Sequence, residues 1–400
     1  MPMPASTSSN SFRRIAVITG TRAEYGLLRP LLRLLRQDAR VDLQLIVTGA
    51  HLAEQHGSTV GDIESDGFAI TARLDLAIEN DSDRAVAGIT ARALDAIAQC
   101  LAQLRPDLLV VLGDRYEIFA AASAAALLRI PVAHLHGGEL TEGAIDEALR
   151  HAITKLSYWH FVSALPYAQR VTQLGEEPSR IFTYGAPGLD ALIENPMLTE
   201  AELGASLGIT LTHPLFLVTY HPQTLSSQPP SEQLNSVLKA LDAFPDALCL
   251  LSGANADAGG ASINTQLQEY ASNRTNAFFK LSYGSTNYIN LLRRAELVIG
   301  NSSSGIIEAA ALGCACVNIG DRQKGRLRAP SVIDTSGDTD EIIRAIRLGL
   351  SADFRATLAP SSLFGEPGTI SARIAEKLAT LPLPESTSKP FYDLPASEAL

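Results

Sequence analysis

At 400 residues, with 46% hydrophobic and 19% charged, the chain has the composition of a globular protein with filled cores and the length of two domains. Its formal net charge of −11 speaks against sequence-independent nucleic-acid binding, which needs a basic face. The four cysteines, Cys100, Cys249, Cys314 and Cys316, read as free thiols in a reducing compartment; residues 1–10 lack the apolar segment of a signal peptide, and no run approaches 18 apolar residues. The expected location is therefore the cytoplasm, without a membrane partner.

The predicted elements alternate. Residues 14–20 ("RIAVITG") form a strand, and 27–37 carry helical periodicity. A strand at 41–49, a long helix over 82–104, a buried strand at 107–113 and an alanine-rich helix near 116–129 follow. A strand at 131–138, a helix at 146–157 and the short runs "HFVS" and "IFTYGAP" complete the first half. The pattern restarts with strands at 215–222, 247–253, 297–300 and 315–320, separated by helices near 231–243, 286–294, 304–312 and 339–350. Such alternation predicts an α/β protein of two doubly wound, Rossmann-like domains. The boundaries read as a flexible tail over 1–12, a first domain over 13–188, a second over 189–381 and a Pro/Ser-rich tail over 382–400.

Ligands of parallel sheets bind beyond the carboxyl ends of the strands, and the unusual residues follow the strands. They include "TGTRAEYG" (19–26), Asp114-Arg115, "HGGE" (136–139), His221-Pro222, Asn255 with Asp257, "NSSSG" (301–305) and "DRQKGR" (321–326). Seven strand ends in two domains predict one shared cleft. On the second-domain side, Ser302 and Ser303 with the following helix N–H groups suit phosphate. Glu308 suits the two hydroxyls of a ribose, and Arg322 and Lys324 add positive charge. The competing reading of the serines is an ordinary helix cap. On the first-domain side, Arg22, Asp114, Arg115, Glu139, Glu142 and Asp146 mix both signs beside His136 and His151, so that acid and base roles can separate. No ligand set at a recognised spacing marks a metal site, and none of the dinucleotide or P-loop fingerprints is present.

The segments "TGTRAEYG", "VTGAHL", "GDRYEIFAAA", "HLHGGE", "DEALRHAITKLS", "YHPQT", "SGANAD", "GNSSSG" and "GDRQKGR" occur in this order. Together they resemble the hydrolysing UDP-N-acetylglucosamine 2-epimerases, the bacterial branch that makes precursors of sialic and legionaminic acids. The resemblance spans residues 13 to about 350. It implies the two-domain GT-B fold, a UDP-sugar in the interdomain cleft, no cofactor and no metal, and a homo-oligomer (dimer or tetramer). It also implies the reaction: UDP leaves as the C2 proton is removed, and water then adds across a 2-acetamidoglycal to give a free sugar of manno configuration. Carried onto this chain, it makes Asp114, His136, Glu139, Asp146 and His221 the catalytic set. Arg22, Arg115, Asn255, Ser302, Ser303, Glu308 and Arg322 become the substrate-binding set.

One position departs from the family pattern. His136 stands where many members carry Glu ("EGGE" against "HGGE"), which leaves the acid/base work open between His136, Glu139 and Asp146. The stretch His221-Pro222-Gln223-Thr224-Leu225 differs from the His-Arg-Arg-Glu-Asn of the non-hydrolysing epimerases and favours the hydrolysing branch. The substrate stays open between UDP-N-acetylglucosamine and UDP-N,N'-diacetylbacillosamine. The rival readings are a GT-B glycosyltransferase, which would need an acceptor groove, and a non-catalytic nucleotide-sugar sensor, which would not need the acids.

Overall fold

Thirteen strands are sorted into two all-parallel sheets among the described residues of the computed structural model, which are 12–53, 59–78, 80, 82–255 and 257–395. The first sheet contains β1 (Arg13–Thr19), β2 (Val41–Thr48), β3 (Ile70–Leu74), β4 (Leu108–Leu112), β5 (Val132–Leu135), β6 (Trp159–Val162) and β7 (Ile181–Thr183), in the order β3-β2-β1-β4-β5-β6-β7. The second contains β8 (Leu215–Thr219), β9 (Leu248–Ser252), β10 (Ala277–Lys280), β11 (Leu297–Gly300), β12 (Ala315–Ile319) and β13 (Val332–Thr335), in the order β10-β9-β8-β11-β12-β13. In each sheet the order reverses beside the first strand. The crevices of doubly wound folds open at such switch points.

The strand sequences explain the layering. Parallel strands buried on both faces are continuously apolar, and successive side chains point to opposite faces. Along β1, Ile15 and Val17 enter one core cluster, whereas Ala16 and Ile18 enter the other. Along β8, Phe216 and Val218 face one cluster, and Leu215 and Leu217 the other. Helices cover all four faces. The 22-residue helix Asp83–Leu104 is long and apolar enough, by length and composition, to cross a membrane. Here its Ile89, Ala93, Ile97 and Leu101 are buried in the core on one face of the first sheet. This helix is the exception to the expectation that no apolar segment reaches membrane length.

One assignment needs correction. The helix Ile370–Thr380 follows the second sheet in sequence, yet its Ile370, Ile374 and Leu378 are buried with Leu28, Leu31 and Leu35 of helix Arg22–Gln37 in the first domain. Asp190 fixes it there. Its carboxylate accepts hydrogen bonds from the backbone N–H groups of Gly368, Ile370 and Ser371, the unpaired donors of a helix start. Residues 382–395 form no helix or strand but lie against the same domain, where Lys389 pairs with Glu176 and the Tyr392 N–H donates to the Gly175 carbonyl. Apart from Phe12, the expected tail over 1–12 lies outside the described residues, as do residues 396–400. The four cysteines are free and buried.

Candidate functional site

The carboxyl ends of the strands face one another across the interdomain cleft, which contains two adjoining cavities. The outer cavity, of about 390 Å³, is lined by Arg22, Thr219, His221, Ser252, Ser282 to Tyr288, Ser302 to Ser304 and Glu308. The inner pocket, of about 120 Å³, is lined by Asp114, His136, Glu139, Thr141, Asp146 and Arg150 from the first domain and by Ser303, Glu308, Arg322, Gln323 and Arg326 from the second. Leu27, Ser303 and Glu308 border both. Ten of the twelve expected site residues thus line one chamber or the other. Arg115 and Asn255 line neither.

The serine loop is set by Gly300 at the end of β11. Its φ is +135°, and a Cβ there would stand 1.9 Å from the Thr219 carbonyl oxygen, so only glycine fits. The turn brings Asn301 beside His221. The His221 N–H donates to Asn301 Oδ1 at 2.7 Å, and Asn301 Nδ2 donates to the His221 carbonyl at 2.8 Å. Ser302 caps the short helix Ser303–Ile306 by accepting from the Ser304 N–H. The helix restarts at Glu308–Ala311, so Glu308 opens a second short turn. Glu308 is raised from the ordinary carboxylate value by burial, and among the described residues its Oε2 has no partner. His221 is pushed down to about 3 by burial and by Arg322. It is therefore neutral, in agreement with Nδ1 accepting from the Asn255 N–H at 3.1 Å.

Asp257 crosses the cleft to Arg115. Arg115 Nη1 donates to Asp257 Oδ1 at 2.7 Å, while Arg115 Nε donates to Glu117 Oε1 at 2.8 Å. Asn255 Nδ2 donates to the second oxygen of Asp257 at 2.6 Å. Arg115 is thus engaged by carboxylates, which accounts for its absence from the cavity walls. Behind it lies Glu24, whose carboxyl is pushed up to about 8 by burial and the neighbouring Glu117.

The inner pocket separates its acids. Asp114 is ion-paired to Arg150, a fully buried guanidinium that also holds Glu147 at 2.9 Å and donates to Thr141 Oγ1 at 2.8 Å. Asp146 opens the helix Asp146–Leu156. Burial first, then the Asp257 and Asp114 carboxylates, push it up to about 7. Glu139 goes the other way. Burial opposes its charge, but Arg326 at 2.6 Å and His136 outweigh that and hold it well below the usual carboxylate range. Its Oε1 accepts from His136 Nδ1 at 2.6 Å and from Ser163 Oγ at 2.8 Å. His136 itself follows β5 with a left-handed φ of +66°, a conformation that costs energy in a non-glycine residue and concentrates at functional sites. With Glu139 ionised, Nδ1 carries the proton of that hydrogen bond. Among the described residues Nε2 is buried without a partner. His134, two residues earlier on β5, is structural: burial pushes it down to about 3, and it bonds to the Gly113 carbonyl and Thr154 Oγ1.

Sequence reasoning missed Arg150 and Arg326 as site residues. Arg150 lies four residues beyond Asp146 on the same helix face, a spacing that marked it. Arg326 ends a quoted segment, but nothing local shows that it crosses to Glu139. Among the described residues, no three His, Cys, Asp or Glu side chains are grouped so as to hold a metal ion.

Residues 33–379 match the UDP-N-acetylglucosamine 2-epimerase family model. The chain is 41% identical, over 83% of its own length and 86% of the relative's, to the GDP/UDP-N,N'-diacetylbacillosamine 2-epimerase (hydrolyzing) of Campylobacter jejuni. It is 36% identical to the polysialic acid biosynthesis protein P7 of Escherichia coli, over 96% of this chain and 98% of that one. It is 37% identical to the UDP-N,N'-diacetylbacillosamine 2-epimerase (hydrolyzing) of Legionella pneumophila, over 93% and 97%. In fold it is similar to the crystal structure of UDP-GlcNAc 2-epimerase from Neisseria meningitidis bound to UDP-GlcNAc, with a TM-score of 0.78 and 18% identity over 91% of this chain and 99% of that one.

Proposed function

The chain belongs to the UDP-N-acetylglucosamine 2-epimerase family, and from that premise we propose that it is a hydrolysing nucleotide-sugar 2-epimerase, converting UDP-N-acetylglucosamine and water to N-acetylmannosamine and UDP. One observation carries this reading. A chamber walled by Arg22, the serine loop and Glu308 opens, at Ser303 and Glu308, onto a smaller pocket that holds Asp114, His136 and Asp146. The first has the donors for a nucleoside diphosphate, and the second has a proton acceptor and a proton donor where its sugar would lie.

The chemistry divides accordingly. Ser302, Ser303 and Arg322 hold the diphosphate, and Glu308 holds the ribose hydroxyls. His136, oriented by Glu139 through Nδ1, takes the proton from C2 at its unpartnered Nε2. The C1–O electron pair leaves with UDP, and C1 and C2 become doubly bonded. Charge building on the leaving phosphate is met by Arg322 and the loop N–H groups. In the second half, Asp146, protonated near neutral pH, returns a proton to C2 from the other side as water adds its oxygen to C1. The water's proton restores Asp146, and His136 gives its proton to solvent. Asp114, ion-paired to Arg150, stabilises positive charge developing at C1. Glu139 cannot donate a proton while Arg326 and His136 share its charge, so its role is to orient His136.

A second substrate has its own support. The lining of the inner pocket includes Leu27, Leu112, Ala144, Ala186 and Ile307. These apolar residues suit the methyl and second acetamido group of UDP-N,N'-diacetylbacillosamine, the substrate named for the Campylobacter and Legionella relatives. Kinetics on the two UDP-sugars side by side choose between them.

The test of the reaction class is incubation in D2O with 18O-labelled water. Free manno-configured sugar with deuterium at C2 and 18O at C1, together with UDP, is the expected product. An epimerised sugar still linked to UDP, or free sugar with retained C2 configuration and no deuterium, overturns the reading.

A further inference from the structure

The second domain reaches into the proton-transfer pair of the first. Arg326 Nη2 lies 2.6 Å from Glu139 Oε2, with both side chains almost fully buried. The opposite oxygen of that carboxylate holds His136 Nδ1 and Ser163 Oγ. One carboxylate is therefore gripped from both sides of the cleft. The loop that leads from Glu139 to Asp146 is gripped in the same way. The Glu142 N–H donates to the Lys324 carbonyl at 3.2 Å, the Leu225 N–H to the Gly143 carbonyl at 3.4 Å, and the Ile145 N–H to Thr224 Oγ1 at 3.0 Å. At Gly143 the two domains touch backbone to backbone: a Cβ there would stand 2.6 Å from the Asp321 carbonyl oxygen.

A carboxylate buried without a cation takes up a proton. A protonated Glu139 would no longer require His136 to keep its proton on Nδ1, and Nε2 would lose its fixed role as acceptor. We infer that Arg326 is a positioning residue supplied across the cleft: by keeping Glu139 charged it fixes the His136 tautomer, so that C2 proton abstraction is assembled only when the two domains are closed. The inference rests on the hydrolytic epimerase reading and assigns one more residue to it. A base armed only in the closed form starts the elimination only once the sugar is enclosed between the two domains.

The experiment compares Arg326→Ala, Arg326→Gln, Arg326→Lys and Glu139→Gln with the wild type, in turnover, UDP affinity and the 15N shifts of the His136 ring. Arg326→Ala is expected to lose about a hundredfold in kcat, the range seen when a partner behind a working group is removed, with KM and the Kd for UDP nearly unchanged. Ethylguanidinium in the buffer restores part of the rate, and Arg326→Ala combined with Glu139→Gln is no slower than the worse single variant. The ring shifts move from one dominant tautomer in the wild type to a mixture in Arg326→Ala, a readout that needs no turnover. Unchanged kcat, a raised KM alone, multiplicative losses in the double variant, or unaltered ring shifts each overturn the inference. If Arg326→Ala does not fold, Arg326→Gln decides: a neutral amide cannot keep Glu139 charged, and kcat falls at unchanged KM with a mixture of His136 tautomers, whereas Arg326→Lys, still a cation, keeps one dominant tautomer. A wild type that makes no free epimerised sugar defeats the underlying reading instead, and the ring shifts still test the tautomer.

Discussion

Asp146→Asn removes a charge that the fold itself disfavours. The carboxyl is buried at the start of helix Asp146–Leu156 and is pushed from 3.8 up to about 7 by burial and by the Asp257 and Asp114 carboxylates. The sign follows from proton binding. The folded state holds this proton more tightly than the unfolded chain does, so the stabilising effect of protonation is complete below pH 3.8 and is lost as pH rises through about 7. At about 1.4 kcal/mol per pH unit, ionisation costs the folded protein roughly 4 kcal/mol by pH 8. The asparagine variant escapes that cost. Its melting temperature relative to wild type is expected to rise steadily between pH 5 and pH 8. The wild-type kcat should fall above about pH 7, as the proton that Asp146 delivers is lost, and the residual rate of Asp146→Asn should lack that limb. Thermal melts and a pH–rate profile on both proteins make the test. A melting difference that is flat with pH, or an alkaline limb that persists in the variant, refutes the argument.

Glu308→Ala is expected to weaken UDP binding, by calorimetry, by about 1.5–3 kcal/mol for the loss of charge-assisted hydrogen bonds to ribose, while leaving the inner-pocket groups in place. Asp114→Asn keeps the side-chain shape but removes the charge paired with buried Arg150. Turnover should drop by orders of magnitude with UDP affinity retained, and equal loss of both would place Asp114 in the nucleotide site instead. Gly300→Ala forces a Cβ to within 1.9 Å of the Thr219 carbonyl oxygen. It should lower the melting temperature and abolish UDP binding together, because the serine loop cannot form its turn beside His221. EDTA should leave the rate of UDP release unchanged, since no suitable ligand group exists among the described residues. Loss of activity with rescue by one divalent ion would contradict this.

Much of this protein was legible locally. Continuous apolar runs such as Leu108–Leu112, each followed by a helical pattern, define parallel strands because burial on both faces and connection through helices leave few other solutions. Strand ends rich in Gly, Ser, His and Asp then mark the cleft, since only chain that leaves the sheet can turn polar groups toward a ligand. The amino-acid sequence by itself therefore determined the two-sheet architecture, the side of each sheet that carries the site, and most of the residues lining it. Tertiary structure alone decided which charges face which. Helix Ile370–Thr380 follows the second sheet but packs on the first because its apolar face matches Leu28, Leu31 and Leu35 there. Arg115 is ion-paired with Asp257, 142 residues away. Glu139 and Asp146 are two carboxyls seven positions apart, yet one is held charged by Arg326 from the opposite domain and the other is driven toward neutrality by burial. Electrostatic interaction depends on distance and solvent exclusion, and neither exists until the domains have closed on one another.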